Sequence, residues 1–486
     1  MLAPQSRASG SDPVVLGLAL VAVVTLLRLW GLWLSDTDLF FDEAQYWIWG
    51  QNLDFGYYSK PPLIGWVIRA VTDLAGSDSP FWVRAAAPIF HGVAALALIA
   101  LARRLMEGRA ALLVGLAYLS LPMIALGSLL ISTDTILLPF WCAALLLWAR
   151  LAETPRLGEA VLLGLCLGLG VMAKYAGLYF VIGAVLTQIF LPTYRVKPAL
   201  LLVAAVTCAL VIAPNVIWNQ THDFATLSHT ADNVDWVKEP GGPSLHPGKL
   251  AEFLLSQAGV MGPVLFGAYL WAVYVSLRRG SATERWLLSM SLPVLLLVCV
   301  QAFLSKAYAN WAAMTYPAAV LLVVLILARR APWLLWAGVI LNLALSLALL
   351  AVAPQAKTLR RGEDLLLARY TGRIEMAEAA VTVAQGAGVS AIVADDRQLL
   401  ADLFYGARAA GLALYAVPHT GKSPHYYADQ FPLDASAPAE LMFLGDAAPC
   451  AEATAIAPLA LGDGAYKGRA LVGYLVPKSC WLAPTN

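Results

Sequence analysis

A succession of apolar runs, each about long enough to cross a hydrocarbon core, constrains this chain more than any other feature. A bilayer core of about 30 Å takes roughly 20 residues of helix. About eleven such runs are predicted, at 13–34, 82–103, 110–128, 131–151, 159–174, 175–192, 198–216, 257–277, 286–304, 311–328 and 332–352. Lipid offers no hydrogen bonds to backbone, so these runs are expected as helices. The stretch 159–192 is divided at 174/175, because ~34 residues at ~1.5 Å each make about 50 Å, too long for one crossing. Composition agrees: 60% of residues are hydrophobic and 13% charged, more apolar surface than a water-soluble chain hides. The run Val14–Leu34 lacks a small-residue cleavage site after it and reads as a retained span, not a signal peptide.

Charge in the short loops sets the orientation. With the N-terminus inside, the cytoplasmic loops hold Arg103, Arg104 and Arg109, then Arg150 and Arg156, then Arg195 and Lys197, then Arg278, Arg279 and Arg285, then Arg329 and Arg330. Every expected inner loop is basic, and merging the spans at 174/175 would reverse all later ones. Three large segments then lie outside: the loop 35–81, the loop 217–256 and the tail from about Pro354. Residues 1–352 read as a transmembrane domain and 353–486 as a small soluble α/β domain. The tail has helical patterns near 373–386 and 396–409, and strand-like runs Ala391–Ala394, Leu412–Val417, Leu441–Leu444 and Ala470–Val476. Of the six cysteines, Cys450 and Cys480 fall in this tail, where an oxidising exterior permits a disulfide. No CxxC spacing suggests zinc or an iron–sulfur cluster. A net charge of +1 gives no reason to expect a nucleic-acid partner.

Reactive residue types gather in the outer segments. In the first loop Asp42 and Glu43 open an aromatic helical stretch containing Tyr46, Trp47 and Trp49. Acids in a first helical turn can simply cap it, with the aromatics as an interfacial belt. A carboxylate there can also serve as a general base or metal ligand. Lys60 precedes Pro61 and Pro62, which hold it extended at a stiff corner before a helix start. Such an ammonium suits an anion, though interface lysines also snorkel. Tyr58 stands beside it as a substrate-contacting candidate. Asp134, in Ser132-Thr133-Asp134, lies at the outer start of a span, where Ser132 is an ordinary N-cap. Lys174 with Tyr175, and Lys306 with Tyr308, Asn310 and Trp311, occupy two further outer turns. Each alone reads as an anchor; several at one membrane face favour a joint site. Lys174 and Lys306 are further candidate cations at this face, and Tyr175, Asn310 and Asp134 further candidate binding residues. His222, Asp223 and His229 in the second loop have unremarkable metal spacing. The segment Val417–Phe431, with His419, Lys422, His425, Tyr426 and Tyr427, reads as a polar loop, the alternative being a role in choosing the acceptor.

Phe41-Asp42-Glu43-Ala44-Gln45-Tyr46 followed by Lys60-Pro61-Pro62 resembles the first outer loop of the bacterial branch of the protein O-mannosyltransferase superfamily, which includes lipid A aminoarabinose transferases and galacturonosyltransferases. Ser132-Thr133-Asp134, Pro214–Asn219 and the turn Lys306–Pro317 are similar to segments of the same group. The resemblance covers residues 1–350 in order. It implies a C-type glycosyltransferase fold in a polytopic α-helical inner-membrane protein. It also implies a polyprenyl-phosphate sugar donor of hexosyl or pentosyl type, an envelope lipid, glycan or protein as acceptor, and inversion at C1. By the same resemblance Asp42 is the catalytic base, with Glu43 beside it, and Lys60 holds the donor phosphate. Many members carry an acid before that lysine, sometimes tied to a divalent metal; Ser59 stands there, which puts a metal at this position in doubt. A secondary transporter or flippase also fits the span count, but no internal repeat is visible and the polar groups favour one face.

Overall fold

In a computed structural model the fold is described for residues 13–106, 110–234 and 245–482. Arg109 and part of the second outer loop (235–244) lie outside the described residues. The chain divides into two compact units. One comprises Met1–Leu32, Arg84–Phe224 and Thr230–Leu350; the other comprises Trp33–Val83, Ala225–His229 and Ala351–Asn486. The first outer loop therefore packs with the C-terminal segment, where the sequence alone suggested a division at 352/353.

The first unit is helical. Among the described residues, seven helices are long and apolar enough to cross a membrane: Val14–Trp33, Pro80–Leu105, Thr133–Glu153, Pro198–Thr221, Ala282–Leu304, Ala309–Arg330 and Pro332–Gln355. A further apolar pair, Pro247–Met261 with Pro263–Arg279, is bent by 112° at its break. Shorter apolar helices at Ala110–Ser120, Leu157–Ala173 and Tyr175–Phe190 fall where the remaining spans were expected. The break at Lys174 matches the predicted 174/175 division. The expected span 257–277 is corrected: the chain turns by 112° within it. Gly262 at the bend has φ 88°, and a Cβ there would sit 1.9 Å from Asn342 Oδ1. Asn342 Nδ2 donates to the carbonyl of Met261 (3.0 Å), the last residue of the helix before the bend, which has no further helical turn to supply a donor.

Tyr316–Arg330 is the central helix, buried from Tyr316 through Leu327. Pro198–Thr221 is mostly exposed apolar surface, as expected for a helix facing lipid. Leu157–Ala173 meets it through Gly164 and Gly168 of a GxxxG pattern. A Cβ at Gly164 would lie 2.4 Å from the Ala204 carbonyl oxygen, so only glycine permits this approach. Arg104 pairs with Glu153, and Arg150 with Glu159 (2.5 Å), joining helix ends that the charge count placed on one side.

The second unit contains a five-stranded sheet. The strands are β1 (Arg360–Arg361), β2 (Asp364–Leu365), β3 (Ala391–Ala394), β4 (Ala413–Ala416), β5 (Glu440–Gly445), β6 (Thr454–Pro458) and β7 (Val472–Pro477). β1 and β2 form a small hairpin; the sheet runs β4-β3-β5-β7-β6, with β3 parallel to β4 and β5. All four residues of β3 are buried, as the middle of a parallel set covered on both faces should be. Helices Arg373–Gly386 and Arg397–Gly406 occupy the two predicted helical stretches. Ala391, Val393, Leu441, Phe443 and Val476 form one core face with Leu433 and Ala437. Cys450 and Cys480 are disulfide-bonded.

A buried polar cluster ties the first loop to this domain. Arg373 Nη1 donates to Asp402 Oδ2 (2.8 Å), with side-chain exposures of 4% and 1%. Tyr466 Oη donates to the same oxygen (2.5 Å), and the Arg373 backbone N–H donates to Asp38 Oδ2 (2.9 Å). The Arg373 guanidinium also lies over the rings of Phe40 and Phe41. Burial pushes the Asp402 carboxyl up to about 6, against the pull of Arg373 and Tyr466. The folded unit thus keeps this proton, in part, over a range where the unfolded chain, with a carboxyl near its ordinary 3.8, has lost it. This group's contribution to stability is therefore present at low pH and lost as pH rises from about 4 through about 6. Thermal unfolding across pH 4–7 should show that slope in the wild type and not in Asp402→Asn; parallel profiles would contradict it.

Candidate active site

The first loop forms a helix, Phe41–Gln51, that opens on the acid pair. The two acids divide their roles. Glu43, 2% exposed, turns back so that Oε2 accepts the Phe40 N–H (2.9 Å). That is the N3 half of a capping box, and it satisfies a backbone donor the helix cannot. Asp42 points elsewhere: its side chain is 39% exposed, and Oδ1 accepts from Arg397 Nη2 at 2.5 Å. Oδ2 has no partner among the described residues. Arg397 opens its own helix, whose N-cap is Asp396, with Oδ1 accepting from the N–H groups of Gln398 (2.7 Å) and Leu399 (3.0 Å). Its Nε donates to Oε1 of buried Gln45 (2.8 Å), and its guanidinium lies 5.0 Å from the Phe41 ring centroid. The sequence reading missed Arg397 and Gln45. A signal existed: Asp395-Asp396-Arg397 follows β3, and loops at the carboxyl ends of parallel strands are where α/β folds place sites.

The aromatics of this helix are not an interfacial belt. Tyr46, Trp47 and Trp49 are buried. Trp49 stacks on Tyr57 (4.8 Å, 3° between planes), and Trp47 meets Tyr405 edge-on. Their amphipathic rings fit a domain core as well as a lipid interface, and packing decided the matter. Tyr57 Oη donates to the Trp49 carbonyl (2.6 Å). Its backbone N–H donates to the Lys60 carbonyl (3.2 Å), closing the corner that displays Lys60 ahead of the helix Leu63–Ala75. The Tyr58 hydroxyl donates to the Ser423 carbonyl (2.7 Å), and Lys422 Nζ to Ser228 (2.8 Å). His425 caps the short helix Tyr426–Gln430: Nδ1 accepts the Ala428 N–H (3.1 Å) and Nε2 lies 2.9 Å from the Asp395 carbonyl. The segment expected as a plain polar loop is thus built into the unit that carries Asp42 and Lys60.

The remaining candidates belong to the helical unit. Lys174 Nζ contacts both Asp134 oxygens (2.8 and 2.9 Å), and Asn310 Nδ2 donates to Asp134 Oδ2 (2.7 Å). Ser132 caps the helix Thr133–Glu153 through the Thr135 N–H, which sets Asp134 in the first turn. Tyr175 Oη donates to Asn215 Oδ1 (2.8 Å) and accepts from Asn219 Nδ2 (3.2 Å). Lys306 is exposed, its carbonyl accepting from Gln301 (3.1 Å). The structure therefore joins Asp134, Lys174 and Asn310, three residues from different outer turns. Among the described residues, no group of three or more His, Cys, Asp or Glu side chains gathers closely enough to hold a metal. His222 instead stacks on Trp218.

Residues 59–218 match the family described as dolichyl-phosphate-mannose-protein mannosyltransferase. The lipid A galacturonosyltransferase RgtD of Rhizobium johnstonii is 40% identical over 477 residues, 96% of this chain and 99% of that protein. An undecaprenyl phosphate-α-4-amino-4-deoxy-L-arabinose arabinosyl transferase of Pseudomonas fluorescens is 29% identical over 174 residues, 33% of this chain and 31% of that protein. The crystal structure of ArnT from Cupriavidus metallidurans bound to undecaprenyl phosphate aligns over 97% of this chain and 99% of that one, with TM-score 0.65 and 16% identity, a likeness of fold. The chain belongs to this family of multi-pass membrane glycosyltransferases, the C-type enzymes that draw on polyprenyl-phosphate sugars. These relatives are transferases, and the transporter reading is set aside.

Proposed function

We propose that this protein transfers a hexuronic sugar from a polyprenyl-phosphate carrier to a hydroxyl of lipid A at the outer face of the bacterial inner membrane. The full-length likeness to a lipid A galacturonosyltransferase supports the sugar and the acceptor. The basic inner loops and the Cys450–Cys480 bond, which belongs in an oxidising compartment, support a C-terminal unit facing outward. The single observation that carries the chemistry is the division of the acid pair: Glu43 is consumed as a cap, while Asp42 stays half-exposed with one oxygen held and one open.

Asp42 takes the proton from the acceptor hydroxyl as that oxygen forms its bond to the sugar C1. The C1–O bond to phosphate breaks on the opposite face, inverting C1, and polyprenyl phosphate leaves with its growing negative charge. Lys60, on its proline-stiffened corner, meets that charge. The Asp134–Lys174–Asn310 group and Tyr175 contribute to substrate binding, with Lys306 as a further cation. Lys60→Ala is expected to raise the donor KM about 10-fold or more while changing the acceptor KM little; an unaltered donor KM would count against the phosphate role. The whole reading is tested by mass spectrometry of lipid A from a deletion strain. Lipid A should lose one hexuronate and regain it on complementation with the wild-type gene; lipid A unchanged by the deletion contradicts the proposal.

A further inference from the structure

The relatives pose a question of charge: one is named for a uronic acid, the other for an amino sugar. Arg397 answers it. We infer that Arg397 binds the carboxylate of the transferred sugar and so selects an anionic donor. This rests on the transferase reading above and on Asp42 as its base.

The argument starts from repulsion. A hexuronate bound for attack at C1 carries its carboxylate a few ångströms from that carbon, hence close to the carboxylate of Asp42. Two like charges so placed in a partly buried site repel unless a cation stands between them. Arg397 is a cation already in contact with Asp42 Oδ1. Of a guanidinium's five N–H donors, its bonds to Gln45 and Asp42 use two, and the rest have no partner among the described residues. The side chain is 36% exposed, so those donors are within reach of a ligand. Its orientation is fixed in advance by buried Gln45, 1% exposed, holding Nε and by the Phe41 ring. A planar fork held at one edge presents its other edge to a second carboxylate in two parallel bonds. The neighbouring Asp396 does not compete: Oδ1 caps the helix and Oδ2 lies 3.4 Å from Arg469. The next acid, Asp395, faces His419. An amino sugar would bring a positive charge against the same guanidinium and be disfavoured.

The test uses the full-length protein in liposomes containing lipid A, with two polyprenyl-phosphate donors that differ only at C6: the hexuronate and its methyl ester. The quantity read is the ratio of kcat/KM for acid over ester. A lost pair of charge-assisted bonds is worth about 30-fold or more. The wild type should favour the acid by about that factor, Arg397→Gln should bring the ratio close to one, and Arg397→Lys should retain part of the preference. If Arg397 serves only to hold Asp42, its loss slows both donors alike and leaves the ratio unmoved, which overturns the inference. The wild-type ratio decides the matter even if the variants misfold: equal use of acid and ester overturns it. Failure of the wild type to transfer sugar from either donor overturns the proposed hexuronate transfer to lipid A, a distinct outcome.

Discussion

Asp42→Asn is expected to lower the transfer rate by about 1,000-fold while the protein still folds and inserts. General-base catalysis contributes about 10²–10⁴ in rate, and an amide has no basicity to offer. The substitution is otherwise mild. Asparagine has the same shape, and its Oδ1 can still accept from Arg397 Nη2, so the helix start and the Arg397–Gln45 contact persist. Glu43 does not substitute for the lost base, since its carboxylate is buried against the Phe40 N–H. The check is the initial rate at saturating donor, alongside an unchanged thermal unfolding midpoint. Turnover within 10-fold of wild type would remove Asp42 from the mechanism.

The largest stability effect is expected at Arg373. Arg373→Met leaves the Asp402 carboxyl buried with only Tyr466 as a donor from this cluster, and removes the cation beneath Phe40 and Phe41. Removing one partner of a buried pair costs about 3–5 kcal/mol, because the other charge stays desolvated and uncompensated. Replacing both partners with apolar groups of similar volume costs much less, since the desolvation is then relieved. Arg373→Met with Asp402→Leu should therefore be more stable than Arg373→Met alone. Denaturant unfolding followed by the buried Trp47 and Trp49 reports both variants. An additive double variant would mean the pair does not act as a unit. Because Phe41 precedes Asp42, the single variant should also lose transfer activity.

What the sequence made legible follows from the range of the forces involved. A span declares itself within about 20 consecutive residues, and β3 was read at its true bounds because four apolar residues sit between turn signals. The break at Lys174 was legible from the length of the run and the charge of the loops that follow it. The bend at Gly262 was not, because the sequence is apolar on both sides of it and only the close approach of Asn342 shows why glycine stands there. Pairings distant in the chain were the hardest. Asp42 was singled out from its own loop, but Arg397 lies 355 residues further on, and no local pattern joins them. Lys174, Asp134 and Asn310 were each identified as outer-turn residues; their mutual hydrogen bonds needed the fold. The aromatic run after Asp42 was ambiguous in principle, since tryptophan suits a membrane interface and a packed core equally.

The most direct measurement is a single-turnover reaction of the purified wild-type protein in lipid A liposomes, with the C1 carbon of a polyprenyl-phosphate hexuronate labelled with ¹³C. Nuclear magnetic resonance should show the label leaving phosphate and reappearing on lipid A with the opposite anomeric configuration, with one polyprenyl phosphate released per sugar moved. Label that stays on its phosphate carrier, or reaches lipid A with its configuration retained, would contradict a direct displacement assisted by Asp42.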